Sequence, residues 1–252
     1  MIRISDMTLA FAGDRGPTTV LKDFSLTIDK GEFVAVVGAS GVGKSTLLRV
    51  IAGLVRAQSG TVDTDQPPTP GRRPYALVFQ DARLLPWRRV VRNVEFGLEG
   101  LGLDAGAKRR RALDVLALVG LADKADRWPH QLSGGQRQRV AIARALAVDP
   151  DLLMMDEPFG ALDAITRQTL QDELVDLWQR TGKTILFVTH DIDEAVYLAD
   201  RVVLLAGSPA GVRSEDCIAL PRPRLRDHAE ARATAAAIRT RLSDYVEQGA
   251  GI

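Results

Sequence analysis

Short apolar runs, separated by segments with helical spacing, set the pattern of this chain. Glu32–Val37 is apolar after its first residue and stops at Gly38, which predicts a strand buried on both faces. Tyr75–Phe79, Leu152–Met155, Thr184–Val188 and Arg201–Leu205 predict strands of the same kind. Between them, Lys44–Ala52 has helical spacing, with Leu47, Leu48 and Ile51 on one face. Gly134–Val148 and Arg167–Arg180 also predict helices. Strands that alternate with helices imply an α/β fold with a largely parallel, helix-covered sheet.

Two stretches depart from that alternation. Asp63–Pro74 holds four of the twelve prolines and predicts a loop. Asp81–Leu132 contains no run fit for a buried strand, while Lys108–Val119 is helical, basic at its start and apolar later. Asp81–Gln131 therefore predicts a helical insert in the α/β core. Arg226–Val246, rich in Ala and Arg, predicts a helix docked on the surface. Just before it, Arg222, Arg224 and Arg226 alternate along a proline-broken stretch, which predicts a solvated charged loop.

Charge and composition narrow the function. With 33 basic and 32 acidic residues the net charge is +1, which argues against the broad basic field of a nucleic-acid binder. The single cysteine, Cys217, allows no internal disulfide and suits a reducing compartment. The start, Met1–Asp6, has no signal-peptide apolar region, and no apolar run reaches the ~18 residues that a spanning helix needs. Any membrane connection is expected to come through a partner.

Three motifs carry chemistry. Gly38-Ala39-Ser40-Gly41-Val42-Gly43-Lys44-Ser45 fits the phosphate-loop pattern, with a predicted strand before it and a helix after it. Its glycines let the backbone wrap phosphate oxygens, and its N–H groups and helix start face negative charge. Lys44 then reaches the β- and γ-phosphates, Ser45 ligates Mg²⁺, and Thr46, next in the helix, is expected among the nucleotide-binding residues. The apolar strand Leu152–Met155 ends in Asp156 and Glu157, which places Asp156 to serve the metal, directly or through water, and Glu157 to take a proton from an attacking water. Leu132-Ser133-Gly134-Gly135-Gln136 opens the helix Gly134–Val148. A hydroxyl, bare N–H groups and a positive helix end make it either a second anion site or an ordinary serine cap.

Leu-Ser-Gly-Gly-Gln, following the phosphate loop and preceding the Asp-Glu pair, resembles the signature of ATP-binding cassette (ABC) ATPases, and the likeness covers essentially the whole chain. The resemblance implies one P-loop domain over residues 1–252. Its parts would be a RecA-like core of about 1–80 and 132–220 with an antiparallel β part, a helical subdomain of about 81–131 and a helical tail of about 226–247. It implies ATP and Mg²⁺ as ligands and a head-to-tail homodimer, in which Ser133 and Gly135 bind the γ-phosphate held by the partner's phosphate loop. Gln80 matches the glutamine that senses Mg²⁺ and the attacking water. His190 matches the switch histidine at the γ-phosphate, and Ala161-Leu162-Asp163 the loop that crosses the dimer interface. Phe11 is the nearest candidate to stack on adenine, beside an ordinary packing role.

Finer wording resembles the importer branch. Asp156-Glu157-Pro158-Phe159-Gly160-Ala161-Leu162-Asp163 is typical of bacterial importer ATPases. Leu84-Leu85-Pro86-Trp87-Arg88 and Asn93-Val94-Glu95-Phe96-Gly97-Leu98 look like the subgroup serving nitrate, sulfonate, taurine and thiamine-precursor uptake. That implies transmembrane permease subunits, indirectly a periplasmic solute-binding protein, and a peripheral place on the cytoplasmic face of the inner membrane. Asp81–Arg92 would line the permease-docking groove, with Leu84 and Leu85 either covered by the partner or packed in the core. An exporter or lipid-transport ATPase is the alternative. Val42 stands where the family often has cysteine, with no consequence expected for phosphate binding.

Overall fold

A computed structural model describes residues 1–12, 16–64 and 72–249. By internal contact the chain divides into two units, Met1–Gln66 with Thr184–Ile252, and Pro67–Lys183.

In the first unit, β1 (Ile2–Phe11), β2 (Thr18–Ile28) and β4 (Ser59–Thr64) form an antiparallel part. β3 (Phe33–Val37) lies parallel between β7 (Thr184–Thr189) and β8 (Arg201–Gly207), and β9 (Ala210–Cys217) returns antiparallel on β8. Strand order in this unit is β4-β1-β2-β9-β8-β3-β7. All five residues of β3 and all six of β7 are buried, as expected of strands covered on both faces. Phe33 and Phe187 meet there, ring centroids 6.0 Å apart. Each such fully buried aromatic or branched side chain contributes about 1.5–3 kcal/mol. α1 (Lys44–Ile51) follows the β3 turn and buries Leu47, Leu48 and Ile51, the face its spacing predicts. α6 (Ile192–Leu198) follows β7, and α7 (Ala229–Gly249) packs on α6 and β8 with Ala235 and Ile238 buried.

The second unit holds the parallel pair β5 (Tyr75–Val78) and β6 (Leu152–Asp156). It also holds α2 (Val90–Gly97), α3 (Ala105–Leu118), α4 (Gly134–Leu146) and α5 (Ala164–Thr181). Between residues 81 and 131 the regular elements are helical, and they share one core with α4. Val90 and Val94 of α2, Leu98 just after it and Leu116 of α3 pack with Val140 and Ala143 of α4, and Leu84 packs against the same cluster. Leu84 is thus partly buried by packing within this unit, while Trp87, three residues on, is 70% exposed.

Two expectations need correction. The predicted loop Asp63–Pro74 begins too early, because Asp63 and Thr64 close β4 against Arg3 and Ile2; its residues 65–71 lie outside the described residues. The second is the solvated arginine loop. Arg224 is only 8% exposed, and its guanidinium is taken up by backbone carbonyls. A proline-broken, charged sequence does not show which carbonyls will converge: those of Ile218 and Leu220 nearby join those of Val196, Tyr197 and Ala199 at the end of α6.

Candidate functional site

Each unit presents part of the predicted chemistry at strand ends. In the first, β3 and β7 pair in register from Phe33↔Ile185 to Val37↔Thr189, so Gly38 and His190 leave neighbouring strands at the same end. From Gly38 the chain turns through Ala39–Val42 into α1, whose N-cap Gly43 takes φ 110°, a left-handed conformation that a side chain would strain. Gly38 is bounded differently: a Cβ there would lie 2.3 Å from the Leu205 carbonyl oxygen of β8 and 3.0 Å from Val42 Cγ1. Lys44 is buried, and its Nζ donates to the carbonyls of Gly38 (2.9 Å) and Ala39 (3.0 Å), which folds the loop around its ammonium group. Ser45 and Thr46 follow in the first turn of α1. A loop of this shape, with a cation inside and a helix start behind, holds phosphate oxygens.

Phe11 ends β1 opposite Thr18 and is 44% exposed, so it is no core residue. β2, the strand beside it, brings Val20 to the loop: a Cβ on Gly43 would lie 2.9 Å from Val20 Cγ1. The exposed ring thus stands beside the strand that touches the phosphate loop.

In the second unit, β5 and β6 pair in register up to Val78↔Met155, so Gln80 and the Asp156-Glu157 pair follow neighbouring strands outward. Glu157 holds φ 45°, rare for a residue with a side chain, and its carbonyl accepts the Gly160 amide at 3.1 Å. Such strained turns cluster where a side chain must be aimed. The same turn carries Gly160 to Gln80, whose Nε2 lies 2.9 Å from where a Gly160 Cβ would sit.

Ser133 caps α4 in a reciprocal box. Its Oγ accepts the Gln136 amide at 3.2 Å, and Gln136 Oε1 accepts the Ser133 amide at 3.0 Å. The hydroxyl keeps its proton for donation outward. Asp163 caps α5 by accepting the Thr166 amide at 3.0 Å, and that bond holds its carboxyl below the usual range. The two helix starts abut: a Cβ on Gly135 would lie 2.7 Å from Thr166 Cγ2, and one on Gly134 3.3 Å from Leu162 Cδ2. The structure therefore groups Ser133 and Gly135 with the Leu162-Asp163 turn, and Gln80 with the Glu157–Gly160 turn.

The supporting roles of three further residues were not read from the sequence. Gln138 is buried in α4 and donates to the Phe79 carbonyl at 3.1 Å, directly before Gln80. It shares helical phase with buried Ala141 and Ala145, a signal that could have found it. Arg144, whose pKa burial lowers, donates to the carbonyls of Ala82 (2.8 Å) and Arg83 (2.9 Å). Asn93 is fully buried: its Oδ1 accepts the Leu85 amide at 2.7 Å, and its Nδ2 donates to the carbonyls of Leu85, Arg88 and Arg89 at 2.9–3.2 Å. It is the internal frame of the Leu84–Arg88 turn that exposes Trp87. Asn93→Ala is expected to lower unfolding free energy by about 2–3 kcal/mol, since several buried groups lose partners at once. Amide exchange of the 84–89 segment should accelerate selectively; unchanged exchange there would refute the framing role.

Comparison with known proteins adds what geometry alone lacks. The family model described as ABC transporter matches residues 21–160. An aliphatic sulfonates import ATP-binding protein of Pectobacterium atrosepticum is 50% identical over 216 residues, 85% of this chain and 78% of that protein. A nitrate import ATP-binding protein of Synechocystis sp. is 47% identical over 221 residues, covering 87% of this chain and 83% of its own length. Among solved structures, a dimeric post-hydrolysis state of an ATP-binding cassette bound to ADP and Pi matches with TM-score 0.74 at 33% identity, covering 88% of this chain and all of that one.

Proposed function

Since the chain belongs to the ABC transporter family, we propose that it is the ATP-hydrolysing subunit energising bacterial uptake of a small solute of the sulfonate or nitrate kind. The observation that carries the reading is the loop Gly38–Ser45, closed round Lys44 between a fully buried strand and a helix start. The similar proteins are named import proteins, which favours inward transport of solute over the exporter alternative.

In this reading the loop amides of Gly38–Gly43 and the Lys44 ammonium hold the β- and γ-phosphates of ATP, and Phe11 supports the adenine. Ser45, Asp156 and Gln80 are the residues proposed to serve Mg²⁺, since a hydroxyl, a carboxylate and an amide oxygen are each donors of the kind a hard divalent cation takes. When bound, Mg²⁺ neutralises charge that builds on the phosphates. Glu157 takes the proton of the attacking water, and His190 donates to the γ-phosphate. Ser133, Gly135 and Asp163 act on the ATP of a second copy, in keeping with the dimeric cassettes among the structural neighbours. The proposed assembly is a homodimer bound to transmembrane permease subunits at the cytoplasmic face of the inner membrane, with a periplasmic binding protein choosing the solute. No helix among the described residues is long and apolar enough to cross a membrane, which fits a peripheral subunit. The Leu84–Arg88 turn, with Trp87 exposed, is the proposed permease contact.

Gentle solubilisation of membranes holding the tagged chain should bring down a polytopic membrane protein. Trp87→Ala is expected to lower its recovery severalfold without altering ATPase activity of the isolated chain. Recovery of ribosomes, DNA-repair proteins or soluble partners alone would overturn the transport reading and leave the ATPase standing.

A further inference from the structure

The C-terminal segment after β9 is fastened to one short helix by arginines. Arg224 Nη1 donates to the carbonyls of Val196 (2.7 Å), Tyr197 (3.3 Å) and Ala199 (2.5 Å). Its Nη2 donates to Ile218 (3.0 Å), and its Nε to Leu220 (3.3 Å). Arg222 Nη2 donates to the carbonyl that lies between these, that of Leu198, at 2.6 Å, and lies 3.0 Å from Asp200 Oδ1. The Arg226 guanidinium covers the Tyr197 ring at 3.9 Å. Together Arg222 and Arg224 cap the four carbonyls from Val196 to Ala199, which end α6.

Carbonyls at a helix end lack intrahelical partners and form the negative end of the helix. A helix of seven residues does not hold itself, so its position depends on what it is tied to. Its N-terminal end is tied beside His190: Asp191 caps it by accepting the Glu194 amide at 3.2 Å, and the Asp191 amide donates to Thr189 Oγ1 at 3.0 Å. α6 is therefore a short strut with the switch-histidine position at one end and the tail arginines at the other. The second anchor also reaches the phosphate-loop strand: Asp200 Oδ2 accepts the Phe33 amide at 3.1 Å, and the Asp200 amide donates to the Phe33 carbonyl at 2.7 Å. Burial pushes the Arg224 pKa down to about 10, with Arg222 adding to the effect, yet the group stays protonated at neutral pH. A planar fork with five donors can serve five carbonyls; a lysine ammonium has three donors on one point.

We propose that Arg224 is a positioning residue for His190, holding α6 so that the C-terminal segment sets the rate of ATP hydrolysis. The proposal rests on the role given to His190 above. Single-turnover hydrolysis by the full-length chain, in excess over ATP, tests it with Arg224→Ala, Arg224→Lys, His190→Ala and the double variant Arg224→Ala/His190→Ala. Arg224→Ala is expected to slow hydrolysis about tenfold while ATP affinity changes less than about twofold. Arg224→Lys keeps the charge and stem, guards against a variant that does not fold, and is expected to recover only part of the rate. In the His190→Ala background, Arg224→Ala should slow the reaction no further, since residues acting through one another are not additive. Losses that multiply in the double variant, or a normal single-turnover rate in folded Arg224→Ala, would overturn the proposal alone. A His190→Ala chain that hydrolyses at the wild-type rate would overturn the histidine's role, and the proposal with it.

Discussion

Glu157→Gln is expected to bind ATP as the unchanged chain does, to hydrolyse it about 10²–10⁴ times more slowly, and to accumulate as a closed dimer. The size of the effect follows from the chemistry. Attack on the γ-phosphate needs a proton removed from water, and the amide of Gln has no basic oxygen to take it. Nothing else need change. Gln has the same shape, and the turn that holds Glu157 at φ 45° is made by the backbone, through the Gly160 amide and the Glu157 carbonyl. Lys44, which holds phosphates in the proposed mechanism, stays on its two loop carbonyls. Size-exclusion chromatography with ATP, beside a phosphate-release assay, separates the steps. A Glu157→Gln variant that released phosphate at the wild-type rate would remove Glu157 from the mechanism.

Gly38→Ala should be the most damaging single-methyl change in the phosphate loop. The added Cβ would stand 2.3 Å from the Leu205 carbonyl oxygen, a backbone atom in a strand buried along its length that cannot swing aside. Either β8 shifts from β3, breaking the pairing Val37↔Leu204, or the loop lifts away from the strand end. Overpacking of this kind costs about 1–3 kcal/mol, which in a chain of this size lowers the melting temperature by about 2–12 °C. In the proposed mechanism the displaced atoms carry the amides that face phosphate, so nucleotide affinity is expected to fall about tenfold or more. Calorimetry and a fluorescent-nucleotide titration check the two effects. A variant with unchanged melting temperature and affinity would show that the loop is not held as tightly as its geometry requires.

What could be seen beforehand in the sequence follows a physical line. β3, β6 and β7 were legible because strands covered on both faces need unbroken apolar runs, which few other elements produce. The antiparallel part was expected only from family resemblance, without boundaries, because its signals are diluted. β2 buries Phe24, Leu26 and Ile28 at alternate positions, but β1 loses its alternation at the irregular register between Ile4 and Met7, where Asp6 turns to φ 47°. β4 and β9 have little apolar content to detect: Ser-Gly-Thr-Val-Asp-Thr and Ala-Gly-Val-Arg-Ser-Glu-Asp-Cys hold their places through ladder hydrogen bonds. The loop between β3 and α1, the Ser133 cap of α4 and the Asp-Glu pair at the end of β6 could be placed beforehand, because a phosphate-site motif fixes residue types and spacing in a strand-turn-helix context. Asn93 and Arg224 were not. Their partners are backbone carbonyls, which every residue carries, so sequence cannot tell which ones will converge.

The pairing of β3 also bears on how the chain is made. β3 is complete once residue 37 is synthesised, but both strands that flank it, β7 and β8, lie on the far side of the second unit in sequence. At ~5–20 residues per second, a ribosome needs roughly 7–30 s to produce the ~150 residues in between. During that time the most apolar strand of the protein has no partner. The second unit, whose helices contact near neighbours in sequence, can settle first. The nascent chain is thus most exposed to aggregation and to chaperones before residue 184 leaves the ribosome, and a pause placed just before that point would lengthen the exposure.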